Sequence, residues 1–296
     1  MSARLPVLVA AMALTLGMAA SSARAGDMPN VPFTSRPLVH PKGQGEASVD
    51  LMVGLDKGEP GEVFGVGSGL VWDRYSGLHV SGSPLENFEV GVALQFLYTM
   101  HDSDDRALTA PGRFSYVGGW PQTLGSGSSH LGPFYFYGKY GFLKQLALEV
   151  GIVVPTDQMQ GLNRPAIRIG VPFKYELSPG LLAIHARGDA VIGFAKPGTP
   201  EQRAGQPAPD STVVVSLFFD GGITLNLADF FGDVSVGFGG DVTSTYPRSF
   251  PLSITVGYTF IPELDVYAGF TLANMLPKVG GAADARNLTV GFNVRF

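Results

Sequence analysis

Between residues 139 and 187 the chain carries Lys139, Arg168, Lys174, His185 and Arg187. Between residues 220 and 265 it carries Asp220, Asp233, Asp241 and Asp265, and Asp50 lies near the start. Each sits in a segment where polar or small residues alternate with apolar ones, so each is placed on a polar face. Charges gathered on one face can orient a dipolar solute or solvate an ion. They can equally cancel in lateral ion pairs. Antiparallel pairing around a turn at 143–145 sets Lys139 opposite Glu149. A similar register brings Arg168 near Asp189 and Arg187 near Asp220. Lys174 faces His185 across a turn at 178–180, with no carboxylate directly opposite.

Other chemistry is sparse. The five histidines are His40, His79, His101, His130 and His185. Ser129-His130 is adjacent only in sequence, and no serine and third partner are placed to make a triad with His79 or His185. No G-x-S-x-G, H-E-x-x-H or phosphate-loop pattern occurs in the chain. The stretch "HDSDDR" clusters Asp102, Asp104 and Asp105, a spacing that can hold a hard cation. It lacks the glycine and distal glutamate of a calcium loop, so it reads as a solvated acidic loop, and no metal or cofactor is assigned. Cysteine is absent, which removes disulfides and thiolate metal sites. The net charge of −5 offers no footprint for nucleic acid.

The elements that position the charges are strands. "FEVGVALQFLY" sets Phe88, Val90, Val92, Leu94, Phe96 and Tyr98 on one side. "AIRIGVPFKYEL" sets Ile167, Ile169, Val171, Phe173, Tyr175 and Leu177 against Arg168, Gly170, Pro172, Lys174 and Glu176. "LSITVGYTF" sets Leu252, Ile254, Val256, Tyr258 and Phe260 against Ser253, Thr255, Gly257 and Thr259. Runs of about ten residues are long for a globular strand and suited to crossing a bilayer at a tilt. Only 15% of the residues are charged, below the roughly 25% of a soluble domain.

Twelve strands follow, over about 46–55, 65–82, 88–99, 133–142, 146–155, 165–177, 181–194, 212–226, 233–243, 250–260, 264–274 and 287–296. Links alternate between tight turns and longer polar loops, the longest over 100–132. Arg74 falls on the outward register of the second strand, which predicts a bulge or break near Asp73–Ser76. The fold class expected is all-β, a closed antiparallel transmembrane barrel with short periplasmic turns and longer extracellular loops. Aromatics gather at both strand ends, as interfacial girdles require.

The two ends of the chain agree with that compartment. "MSARLPVLVAAMALTLGMAASSARA" has a basic Arg4, an apolar run and Ala23-Arg24-Ala25, so residues 1–25 read as a secretory signal. Residues 26–45 are proline-rich and aperiodic, a flexible periplasmic lead or a plug folded back into the lumen. Residues 46–296 form the barrel. "NLTVGFNVRF" ends the chain on an apolar face, which suits a strand that faces lipid and closes against the first. Thr289, Gly291, Val294 and Phe296 resemble the β-signal by which outer-membrane barrels are handed to their assembly machinery. The whole chain resembles a porin-like bacterial outer-membrane β-barrel protein.

Twelve strands imply a backbone radius of roughly 12 Å. The resemblance to porins implies a passive channel for small polar solutes in the outer membrane, in contact with its lipids and lined by the charges above. Many inward positions are glycine, which either leaves open space or only permits curvature. Two alternatives stand beside the channel: a closed-lumen barrel acting as a structural or surface-binding protein, and an outer-membrane lipid hydrolase, since phospholipases of that membrane are also twelve-stranded. The sequence does not name the solute or the oligomeric state.

Overall fold

The computed structural model describes residues 30–56, 63–67, 78–100, 108–111, 121–124, 129–154, 165–194, 213–242, 250–272, 275–276 and 285–296. Fifteen strands lie within these residues. They are β1 Gly45–Asp56, β2 Val63–Gly67, β3 Leu78–Leu85, β4 Phe88–Met100, β5 Leu108–Pro111, β6 Pro121–Leu124, β7 Ser129–Leu143 and β8 Leu146–Val154. The rest are β9 Ala166–Ser178, β10 Leu182–Phe194, β11 Val213–Leu227, β12 Phe230–Asp241, β13 Leu252–Ile261, β14 Leu264–Leu272 and β15 Ala285–Arg295. Strands β5 and β6 form a separate two-stranded sheet within the 100–132 connection. The others form one sheet that closes on itself, because β1 pairs with β15.

The barrel has twelve staves. One of them is split: β2 pairs with the second half of β1, from Met52 to Asp56, and β3 with the first, from Gly45 to Val49. Both run antiparallel to β1 and both also pair with β4. The second strand, for which the sequence predicts a bulge or break, is thus in two pieces. The positions expected to break it, 73–76, lie outside the described residues. One correction concerns Ser129-His130. Read as loop, the pair begins β7, where Ser129 stands opposite Tyr98 and His130 opposite Leu97.

Backbone pairing explains the closure. Gly45 N–H donates to the Phe296 carbonyl at 2.7 Å and Phe296 N–H donates back at 3.0 Å. From there β1 and β15 stay in register from Glu46–Arg295 to Asp56–Ala285. The tight turns fall where expected, at residues 86–87, 144–145, 179–181, 228–229 and 262–263. Asn87 and Gly180 supply the left-handed backbone in two of them, and Ala228 adopts it at φ 54° without glycine's freedom.

Side chains alternate in the inside-out sense. Leu288, Val290 and Phe292 of β15 are exposed, whereas Asn287, Thr289 and Asn293 between them are buried. The same holds in β8, where Leu148, Val150 and Ile152 point out and Ala147, Glu149 and Gly151 point in. A water-soluble sandwich would bury the first set and expose the second. An apolar exterior around a polar interior fits a hydrocarbon surrounding. Phe142, Tyr175, Phe230 and Phe260 stand exposed near the tight-turn end. Tyr258 packs edge-on against both Phe230 and Phe260, with ring centroids 4.7 and 4.8 Å apart.

The inward glycines have a packing role. Gly91, Gly239, Gly257 and Gly291 lie directly opposite Tyr137, Phe218, Phe231 and Tyr267. In each pair a β-carbon on the glycine would overlap the facing ring. Neither open space nor curvature alone accounts for these positions; each glycine is the floor on which a ring lies.

Two outcomes test this arrangement. Val256 is 59% exposed on the outer face of β13. Val256→Arg should lower bilayer stability by roughly 2–4 kcal/mol while Val256→Leu leaves it nearly unchanged. Equal urea midpoints would remove the lipid-facing assignment. Gly257→Ala should cost about 1–3 kcal/mol by displacing the Phe231 ring, and a neutral result would mean the ring has somewhere else to go.

Candidate functional site: the charged lumen and its seated lead

Residues 30–44 enter the lumen at the tight-turn end, taking the plug route rather than that of a free lead. A single 3-10 turn, Phe33–Ser35, is the deepest-held part. The Phe33 ring stacks on Phe231 at 4.3 Å between centroids, nearly parallel. Thr34 is 1% exposed. Phe33 N–H donates to Asn226 Oδ1 at 2.9 Å, and the Ser35 hydroxyl donates to Glu176. Arg36 forks onto Asp265, with Nη1 to Oδ2 at 2.5 Å and Nη2 to Oδ1 at 2.8 Å. Lys174 Nζ donates to the carbonyl of Phe33 at 2.8 Å and to that of Arg36 at 3.3 Å. The proline-rich composition suits this seat. Prolines lower the entropy lost on ordering an extended segment and leave fewer N–H groups to satisfy.

Above the lead, the inward charges form clusters. In the first, Arg187 Nη2 donates to Glu149 at 2.7 Å, and its Nε and Nη2 both donate to Asp189, at 2.8 and 2.9 Å. Arg168 Nε donates to the same Asp189 at 3.0 Å, and the Tyr135 hydroxyl donates to Glu149 at 2.7 Å. In the second, Glu89 receives Lys139 at 2.8 Å, the Tyr137 hydroxyl at 2.9 Å and the His40 N–H at 3.2 Å. In the third, Asp265 gathers Arg36, the Thr259 hydroxyl at 2.7 Å and Arg295 at 3.5 Å. In the fourth, Asp233 meets His185 Nε2 at 2.6 Å and the Thr224 hydroxyl at 2.8 Å. The Tyr267 hydroxyl donates to Asp50.

These clusters place most of the charges expected to line the lumen. Lys139, Arg168, Lys174, His185, Arg187, Asp220, Asp233, Asp265 and Asp50 are all on the inner face. Asp241 is the last residue of β12, opposite Ser216. The register is as expected for Lys139–Glu149, Arg187–Asp220 and Lys174–His185, and Arg168 does reach Asp189. Side-chain choices differ from register, however. Lys139 bonds Glu89 on β4, and Arg187 spans Glu149 and Asp189. Lys174 holds the lead. Carboxylates stand among the strand cations, and Arg36 and Arg295 stand beside Asp265, so the basic and acidic groups pair locally within each cluster.

Sequence reasoning passed over Glu89, Arg36 and Arg295. The alternation that turns Phe88 and Val90 outward turns Glu89 inward, and the same pattern turns Arg295 inward, so both were available. Arg36 had no such signal because the lead has no period. Of the residues that resemble a β-signal, Thr289 and Gly291 face the lumen, Val294 lies on the other face, and Phe296 pairs with Gly45 at the start of the first strand. His101, Asp102, Asp104 and Asp105 lie outside the described residues, as does the candidate signal segment.

A nucleophilic triad needs an imidazole between hydroxyl and carboxylate. Here the Asp233 carboxylate stands between Thr224 and His185, and His79 Nε2 meets the Tyr137 hydroxyl at 2.9 Å. Neither arrangement supports the lipid-hydrolase alternative.

The first cluster has a testable energetic consequence. Arg187 bridges two carboxylates that are buried with it. Arg187→Met should cost about 3–5 kcal/mol, because it removes the guanidinium that joins the buried Glu149 and Asp189 carboxylates. Adding Glu149→Gln should return part of that loss. Urea unfolding of the single and double variants measures both, and equal stability of wild type and Arg187→Met would remove the bridging role.

No protein-family model and no curated protein matches the chain. Solved structures do. An outer membrane channel from Pseudomonas putida F1 matches with a TM-score of 0.55 at 10% identity, over 87% of this chain and 97% of that one. A NanC porin matches with a TM-score of 0.49 at 9% identity, over 83% and 98%. The beta domain of the Bordetella autotransporter Brka matches with 0.47 at 13%, over 86% and 100%. The first likeness bears on fold, and it agrees with the closed twelve-stave sheet and its apolar exterior. The fold is that of a bacterial outer-membrane β-barrel.

Proposed function

We propose that this barrel is an outer-membrane channel for small polar solutes, with its periplasmic mouth narrowed by its own lead. The supporting observation is the inner wall. Charged, amide and hydroxyl side chains face inward on every stave whose side chains are described, around a lumen wide enough to accept a folded-back segment. A purely structural barrel gains little from such a wall, since apolar packing would fill it more cheaply. The competing reading is a closed barrel. What favours it is that the lead and the ion-pair clusters both stand inside the lumen.

Conductance in planar bilayers separates the two. The Val39 β-carbon lies 3.7 Å from the place a β-carbon on Gly141 would take, within the span a disulfide needs. The chain has no cysteine of its own, so Val39→Cys/Gly141→Cys would form one defined lock between lead and wall. The wild type should conduct, the oxidised double variant less, and the reduced variant should recover. Removing residues 30–40 should raise conductance further. Silence from all of these, with each protein folded and heat-modifiable on gels, would favour the closed barrel. Equal conductance of the locked and reduced forms would show that the lead does not obstruct the path.

A further inference from the structure

Arg36 is the one arginine of residues 30–44. Its guanidinium engages both oxygens of Asp265, at 2.5 and 2.8 Å. The wall itself orients that carboxylate: Thr259 donates its hydroxyl to Oδ1 at 2.7 Å, and the Asn293 amide and Arg295 stand at 3.5 Å. Asp265 is the second residue of β14, beside the tight turn at 262–263, so it lies at the mouth where the lead enters. A cavity of about 200 Å³ beside the lead is lined by Arg36 but not by Asp265. The Asp265 side chain is 0% exposed and that of Arg36 13%. The guanidinium therefore stands between the cavity and the carboxylate.

The two partners belong to different parts of the chain, the carboxylate to the sheet and the guanidinium to a segment outside it. Withdrawing Arg36 without a replacement would leave a buried carboxylate short of its closest cation, which is strongly unfavourable. Exchanging it for a free guanidinium restores the same two hydrogen bonds. A planar fork meets both oxygens at once, which an ammonium cannot do.

We propose that Asp265, with Thr259 and Asn293, is a binding site for a small guanidinium compound, and that Arg36 occupies it as the chain's own stand-in. A solute entering at the tight-turn end takes the place of Arg36 on Asp265 and loosens the adjoining turn Phe33–Ser35. The inference deepens the channel reading, on which passage of the solute rests, whereas binding itself does not require conduction.

Displacement of the lead is the readout. Thr34→Cys supplies a single reporter thiol, because the chain has no cysteine of its own. Thr34 is 1% exposed, and its hydroxyl has no hydrogen-bond partner among the described residues. Ethylguanidinium, well below denaturing concentrations, should raise the rate of maleimide labelling saturably. N-ethylurea, its neutral isostere, should leave the rate unchanged, and ethylammonium should raise it far less. In calorimetry, Arg36→Gln should bind ethylguanidinium roughly tenfold more tightly than the unsubstituted protein, since the tethered competitor is gone. Arg36→Gln/Asp265→Asn should not bind it. An equal response to the three probes, or equal affinity of the single and double variants, would overturn the inference. So would binding to Arg36→Gln with no response from Thr34→Cys, because Arg36 would then be a fixed structural partner. Conductance of the same preparations keeps the two readings apart. A conducting protein whose reporter ignores ethylguanidinium loses the site and keeps the channel. A silent protein with the expected probe selectivity keeps the site and loses the channel.

Discussion

Hydrocarbon offers no partner to a backbone N–H or C=O, so a sheet placed in it can have no open edge. Everything else in this molecule depends on that constraint. It is met at one seam, where Gly45 and Phe296 exchange two hydrogen bonds and β1 then follows β15 for eleven paired positions. Once the seam is closed, the pleat assigns every second side chain to lipid and every other one to the lumen. The interior is therefore polar as a consequence of closure, and the problem passes from the backbone to the side chains.

Charges turned into a confined space must find partners or water. The chain solves this by local pairing, each cluster drawing on two to four neighbouring staves. Asp265 shows how far this reaches: it collects a hydroxyl from its own hairpin, a guanidinium from the last strand and another from the lead. Because Arg36 comes from a segment outside the sheet, the lead is tied to the barrel by the same electrostatics that stabilise the wall. Its order is thus coupled to the charges of the lumen.

The strand periodicity made most of the sheet legible. The turns at 86–87, 144–145, 179–181 and 262–263 fall within a residue or two of the expected links, whereas the link expected over 227–232 is only the two residues 228–229, because β12 starts three residues earlier. A two-residue period places the strand charges on the inner face. The split of the second stave was visible only as Arg74 breaking the alternation, which signals a fault in the pattern without locating its ends. Side-chain partners were less legible for a geometric reason. Register gives the nearest Cα, but a long side chain reaches diagonally across two strands, so Lys139 finds Glu89 and Arg187 finds Glu149 and Asp189. The lead was illegible in a stronger sense. Its prolines exclude regular structure, and nothing periodic in residues 30–44 states that Phe33 and Phe231 will stack.

The paired glycines and rings connect these points. A wall roughly 12 Å from the axis is too wide for small side chains to fill. Large ones standing upright would occupy the centre. Laying Tyr137, Phe231 and Tyr267 over Gly91, Gly257 and Gly291 keeps each ring against the wall. It also sets the height of the polar groups above the wall. The Tyr137 hydroxyl reaches Glu89 and His79, and the Tyr267 hydroxyl reaches Asp50, because each ring lies along the wall instead of across the lumen. Phe33 of the lead stacks on the Phe231 ring so placed. A β-carbon at Gly257 would therefore act twice, first on the ring it lifts and then on the segment that rests on that ring.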